Sequence, residues 1–167
     1  MQRVFVISGP CGCGTTTLSA AFAATLMDRV VCLIHGDDFQ RCLVVPEGRQ
    51  LPWPEMLAFN WDCILTVTES ALQRGMDVVI DYVVEDELPR LRALADQQGA
   101  VLHYVVLTAS VETLRQRLAA RGDGWLTERA LFLKEKLEHA AENRRCLLDV
   151  TGLTAEQAVL RLKTMLS

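Results

Sequence analysis

Residues 9–16 read Gly9-Pro10-Cys11-Gly12-Cys13-Gly14-Thr15-Thr16, a G-x-x-x-x-G spacing that runs into Thr17. An apolar stretch, Val4 to Ser8, precedes the loop and a helical pattern follows it. Glycines let the backbone curl so that successive amides aim at one anion, and a helix N-terminus adds partial positive charge there. The chemistry this pattern supports is phosphate binding, with the Thr16 hydroxyl at the position that ligates Mg²⁺. The plainer alternative is a glycine-rich turn that lets strand and helix pack closely. Thr15 departs from the pattern, because a lysine there reaches the β- and γ-phosphates and offsets charge that shifts during phosphoryl transfer. Losing one charge-assisted hydrogen bond costs on the order of 1.5 to 3 kcal/mol, roughly a ten- to hundredfold effect. Cys11 and Cys13 read either as small residues in a tight loop or as thiols made reactive by the helix N-terminus.

Acidic and basic residues recur at strand and helix ends. Asp37 and Asp38 follow the apolar run Val30 to Ile34. They either face a ligand at the carboxyl edge of a parallel sheet or cap the next turn. Asp81 closes Val78-Val79-Ile80, the form of a Walker B acid that holds Mg²⁺, and also of an ordinary strand-terminal aspartate. Arg117 and Arg121 lie four apart, on one helical face. Glycines at 122 and 124 follow, and they offer a hinge that turns Arg121 inward to replace the missing lysine charge. The chain has 14 arginines and only three lysines, at 134, 136 and 163, so no lysine in the first 133 residues stands in for Thr15.

Apolar runs alternate with amphipathic stretches along the whole chain, which predicts an α/β fold with a parallel sheet covered on both faces. Strands are expected at 4–8, 30–34, 77–81, 101–107 and 147–150. Helices are expected at 16–27, 55–74, 85–98, 111–121, 127–144 and 154–166, the last with Thr154 and Gln157 as a capping box. Residues 39–54, with prolines at 46, 52 and 54, read as irregular. The 167 residues fit a single domain, 1–167. Net charge is -4. That balance disfavours nucleic acid and anionic membranes as partners and leaves small molecules. No apolar run is long enough for a membrane helix. The start of the chain enters a strand pattern without the layout of a signal peptide, so a cytoplasmic location is expected. Six cysteines match no zinc spacing and read as free thiols.

The loop, "IHGDDF", "DVVIDY", "ETLRQRLAARGD" and "LLDVTGLTAEQAVLRL" together resemble small P-loop kinases. That group contains gluconate, shikimate and nucleoside kinases and chloramphenicol phosphotransferase. Trp53 to Tyr82 looks like the helix and strand of uncharacterised bacterial P-loop kinase-like proteins. The resemblance spans nearly the whole chain and implies a three-layer P-loop fold with strand order 2-3-1-4-5. It implies ATP with Mg²⁺ and phosphoryl transfer to a hydroxyl of a small acceptor. By the same likeness Asp37 or Asp38 serves the acceptor hydroxyl, and a lid over about 117–128 brings an arginine to the phosphates and another to adenine. A cap over about 39–60 holds the acceptor, with Arg41 and Arg49 placed for an anionic substrate. Trp53 and Trp61 serve there as walls or as anchors to the core. Trp125 either closes over the site or packs, and the segment 149–152 borders adenine. With lysine absent, the alternative is a degenerate nucleotide-binding module that senses or interacts without transferring.

Overall fold

The computed structural model describes residues 1–166. Five strands form one sheet: β1 (Arg3–Ser8), β2 (Val31–His35), β3 (Asp77–Asp81), β4 (Val101–Thr108) and β5 (Leu147–Asp149). The order is β2-β3-β1-β4-β5 and every neighbouring pair is parallel. β1 sits at the centre and is hydrophobic on both faces, as a doubly covered strand must be. Phe5 and Ile7 pack on one side with α1 (Thr15–Ala23) and α6 (Ala155–Leu166). Val4 and Val6 pack on the other with α2 (Trp53–Gln73) and α3 (Leu88–Gln97). α4 (Val111–Ala120) and α5 (Thr127–His139) complete the layers, and α5 lays Leu133 and Leu137 over Val106. The parallel sheet covered on both faces is what the alternation of apolar runs and helices predicts, and its strand order is the one the resemblance implies.

Several boundaries shift for local reasons. Residues 36–42 form a 3-10 turn that runs into the stretch expected to be irregular from residue 39. α1 stops at Ala23 rather than near Met27, because both the amide and the hydroxyl of Thr25 bond back to the Phe22 carbonyl and tighten the end. α3 starts at Leu88 rather than Glu85, since the Glu87 carboxylate accepts the amides of residues 85 and 86 and folds that segment into a loop. α5 ends at His139, not Arg144. The buried Asn143 side chain donates to the Leu137 carbonyl at 3.0 Å and satisfies the last turn from outside the helix. α6 carries the expected capping box, with Thr154 Oγ1 accepting the Gln157 amide and Gln157 Oε1 accepting the Thr154 amide.

Candidate functional site

The loop after β1 turns because its glycines fill places that side chains do not. A Cβ at Gly9 would lie 2.9 Å from the Leu107 carbonyl oxygen on β4. At Gly12, with φ +89, a Cβ would press on Leu118 of α4 at 3.2 Å. Gly14, with φ +86, is the N-cap of α1, and no side chain caps that helix. The first amides of α1 are therefore open to a ligand, with the helix dipole behind them. Thr16 and Thr17 are exposed at this end. Thr15 is partly buried and accepts the Ser19 hydroxyl through its carbonyl at 2.7 Å, so the position is helical backbone without any charge. The cysteines take the inert reading. Burial pushes the Cys11 thiol up and the Cys13 thiol up to about 12, overriding the helix end.

β2 and β3 end level with each other, and their last residues, His35 and Asp81, are paired in register. His35 Nδ1 lies 2.8 Å from Asp81 Oδ2, where a protonated Nδ1 donates to the carboxylate. Asp81 is 7% exposed, and this strand-terminal acid is held from the neighbouring strand by His35. Just beyond His35, Gly36 passes over the Tyr82 ring so closely that a Cβ would fall 2.4 Å from it. The turn that begins there carries both aspartates. Asp38 pairs with Arg41 at 2.9 Å on the surface. Among the described residues, the Asp37 carboxylate accepts one side-chain hydrogen bond, from the Gln40 amide at 3.5 Å. Partial desolvation raises the Asp37 carboxyl above the usual aspartate range, and the charges of Asp81 and Asp38 push the same way. The charge of Asp37 in turn helps to push the Cys11 thiol up.

Ser110 caps α4, accepting the Thr113 amide at 3.1 Å, and so fixes where its two arginines emerge. Arg117 donates to the carbonyls of Cys13 at 3.2 Å and Gly12 at 3.5 Å, bracing the loop from behind. Arg121 is more exposed and pairs with Asp123 at 3.0 Å, beside the left-handed Gly122 that ends the helix. Both arginines line a cleft of about 390 Å³ that also takes in residues 12–14, Thr17, Val150 and Leu153. The segment after β5 therefore reaches the same cleft as the loop. Trp125, 79% exposed, has no packing role.

The two tryptophans of the cap segment divide. Trp61 is 1% exposed and meets Tyr82 edge-on, an anchor in the core. Trp53 is half exposed and lies 5.7 Å from the guanidinium of Arg129. Arg129, on the first turn of α5, is ion-paired with Glu85 and stands near enough to Cys11 to lower its thiol against the effect of burial. Arg49 is exposed in the loop ahead of α2. His35, Glu85 and Arg129 were not singled out from the sequence. The equal lengths of β2 and β3, each ending in a polar residue, were a usable signal for His35. Arg129 had none, because its partners lie 44 and 76 positions away, at Glu85 and Trp53.

A strand, a glycine loop and a helix with free amides at the carboxyl edge of a 2-3-1-4-5 parallel sheet define a P-loop kinase-like protein. Comparison with known families agrees: the chain belongs to the AAA domain family, whose model matches residues 4–145. No curated protein matches it. Among solved structures it is similar to the tunicamycin resistance protein of Deinococcus radiodurans, with TM-score 0.68 and 17% identity over 98% of this chain and 95% of that one. It is similar to Chaetomium thermophilum Kti12 in complex with ADP-AlF3, with TM-score 0.69 and 14% identity over 99% of this chain and 100% of that one. A gluconokinase from Sinorhizobium meliloti aligns with TM-score 0.59 and 16% identity over 98% of this chain and 93% of that one. At these identities the likeness is one of fold. Among the described residues, no helix is long and apolar enough to cross a membrane.

Proposed function

We propose that the chain is an ATP-dependent phosphotransferase that moves the γ-phosphoryl group to a hydroxyl of a small acceptor. The observation that carries this reading is the convergence at one sheet edge. The open amides of α1, Asp37 and the braced acid Asp81 leave that edge, and Arg117 and Arg121 line the cleft beside the loop. The amides of the glycine loop and of the first turn of α1 hold the phosphates, except those of Pro10, which has no N–H, and Cys13, which donates to the Pro10 carbonyl, and Arg117 and Arg121 wall the cleft where the base enters beside Val150. Arg129 and Arg121 supply the positive charge that Thr15 lacks, as arginines do in other phosphoryl transfers. Asp37 accepts the proton of the acceptor hydroxyl, a task its raised pKa suits. Mg²⁺ demands hard oxygens and keeps several waters, and the Thr16 hydroxyl with the Asp81 carboxylate matches that demand. When bound, the ion neutralises charge between the phosphates. Residues 39–60 form the acceptor cap, residues 117–128 the lid, and the whole chain acts as one domain in the cytoplasm.

The similar gluconokinase, tunicamycin resistance protein and Kti12 complex with ADP-AlF3 support the reading at the level of fold. The test is a panel of small hydroxyl compounds assayed for accelerated ATP consumption with Mg²⁺, run alongside Asp37→Ala. The reading fails if no compound accelerates consumption and Asp37→Ala leaves every activity unchanged. Thr15 favours a second reading, a nucleotide-binding module without transfer. Turnover that needs Mg²⁺ and disappears in Thr16→Ala rules that one out.

A further inference from the structure

We propose that His35 is a positioning residue that holds the Asp81 carboxylate in place for the divalent cation of a bound nucleotide. This deepens the phosphotransferase reading and rests on it in giving Asp81 to Mg²⁺. The first argument compares two acids on one strand. Asp77 and Asp81 open and close β3, and both are buried. Asp77 is fully supplied. The Arg3 amide donates to its Oδ1 at 2.8 Å, Arg3 Nε donates to Oδ2 at 2.7 Å, and a second guanidinium nitrogen donates to Oδ2 as well. Among the described residues Asp81 accepts one side-chain hydrogen bond, from His35 Nδ1 to Oδ2 at 2.8 Å, and no arginine or lysine is paired with it. An ionised carboxylate has about four acceptor sites and is costly to bury without a cation. The acid at the amino end of β3 is therefore complete, whereas the one at the carboxyl end has coordination left for a cation from outside the chain.

The second argument is place. Asp81 pairs in register with Ile7 of β1, two residues before Gly9, and adjacent strands run about 4.8 Å apart. The Val84 amide donates to the buried Ser8 hydroxyl at 2.9 Å, which ties the chain leaving β3 to the residue that precedes the glycine loop. The backbone thus fixes Asp81 at the foot of the loop. Its side chain is fixed from β2, on the far side of β3 from β1, where His35 ends the strand in register with it. β2 is apolar from Val31 to Ile34 and breaks that run at His35. Gly36 then packs on the Tyr82 ring, so the backbone after His35 is held against the exit of β3. A free aspartate samples a broad range about its terminal torsion, and Mg²⁺ demands near-ideal octahedral geometry. A carboxylate already locked by a hydrogen bond gives up less freedom in meeting that demand. Outer-shell partners of this kind orient ligating groups, and losing one typically lowers metal affinity by about 10- to 100-fold.

The experiment titrates Mn²⁺, a stand-in for Mg²⁺ that is visible by electron paramagnetic resonance, into the intact chain with saturating ADP. His35→Ala should weaken Mn²⁺ binding by about 10- to 100-fold while ADP affinity without metal stays unchanged. His35→Asn sets an amide donor near the position of Nδ1 and should recover most of that loss. In the unaltered protein the His35 Nδ1–H resonance should persist when Mg-ADP is added, a readout by nitrogen-edited NMR that needs no variant to fold. A lower melting temperature in His35→Ala with Mn²⁺ affinity unchanged would make His35 purely structural and overturns the proposal. Loss of the Nδ1–H resonance on adding Mg-ADP overturns it too. So does hyperfine coupling between Mn²⁺ and an imidazole nitrogen that disappears in His35→Ala, since His35 would then be a ligand. Asp81→Asn separates this inference from the reading beneath it. If Asp81→Asn weakens Mn²⁺ binding and His35→Ala does not, the positioning role alone fails. If neither substitution matters, or the unaltered protein binds no Mn²⁺ with ADP, the assignment of Asp81 to the metal falls and takes the positioning role with it.

Discussion

Thr15 offers a methyl group and a hydroxyl at a point where bound phosphates would concentrate negative charge. If the rest of the loop is competent, restoring a cation there has a defined effect. Thr15→Lys should tighten Mg-ATP binding by about tenfold or more, measured by titration calorimetry, from one added charge-assisted hydrogen bond. No gain would mean that the loop geometry has drifted or that an arginine already fills the position. Asp37 gives a second prediction with a sign. Its carboxyl is raised by desolvation first, and by Asp81 and Asp38 next, so the folded chain holds this proton more tightly than the unfolded chain. Stability from this group is present below the unfolded aspartate pKa and is lost as pH rises through the folded value. At neutral pH Asp37→Asn should therefore raise the melting temperature while abolishing transfer. The acid limb of the native pH–rate profile should lie above the ordinary aspartate range, because the base works only once deprotonated. A variant with lower melting temperature and intact turnover would remove Asp37 from both roles.

The elements matter here for the accuracy with which they hold these groups. The turn after β2 aims Asp37 only because Gly36 lies flat on Tyr82, whose hydroxyl takes a 2.9 Å hydrogen bond from the buried Asn60. Gly36→Ala puts a methyl group into that ring. It should destabilise the chain by about 1–3 kcal/mol in urea unfolding, as overpacking does. If Asp37 is the base, turnover should fall further than the lost stability explains. α4 is held differently, by the Ser110 cap at its start and by Leu114 and Leu118, both fully buried, along its length. Ser110→Ala should cost about 1 kcal/mol. Because Arg117 and Arg121 ride on that helix, nucleotide affinity should weaken with it, whereas a cap that only serves stability would leave affinity unchanged.

At the scale of the whole molecule, the sheet and two helical layers make a rigid floor, and the chemistry lies in the segments that leave its carboxyl edge. β1 pairs with β3 and β4 along its length, so the loop at its end is set by a central strand that is buried from Val4 to Ser8. Ligand at that loop should stabilise the entire cooperative unit. At a Mg-ATP concentration about 100 times its dissociation constant, linkage adds about 2.7 kcal/mol. For a chain of this size that is a rise of roughly 5–11 °C in melting temperature, read by scanning calorimetry. An unchanged melting temperature at millimolar Mg-ATP would favour a fold that no longer takes nucleotide.

What the sequence determined by itself is local and periodic. Continuous β-branched runs specified the strands, alternation with helices specified a parallel sheet, and glycine spacing specified the loop, since each depends on a few adjacent residues. Asp37, Asp81, Arg117 and Arg121 could be picked out because strand ends and helix faces are readable from spacing. Tertiary structure decided which of them meet. It turned Asp38 to Arg41 and left Asp37 with a long hydrogen bond from Gln40, buried the Cys13 thiol, and separated Trp61 in the core from Trp53 at the surface. It also placed Arg129 beside Glu85 and Trp53. Those outcomes depend on burial and on partners far along the chain, and desolvation and ion pairing are properties of neighbours in space that residue spacing does not encode.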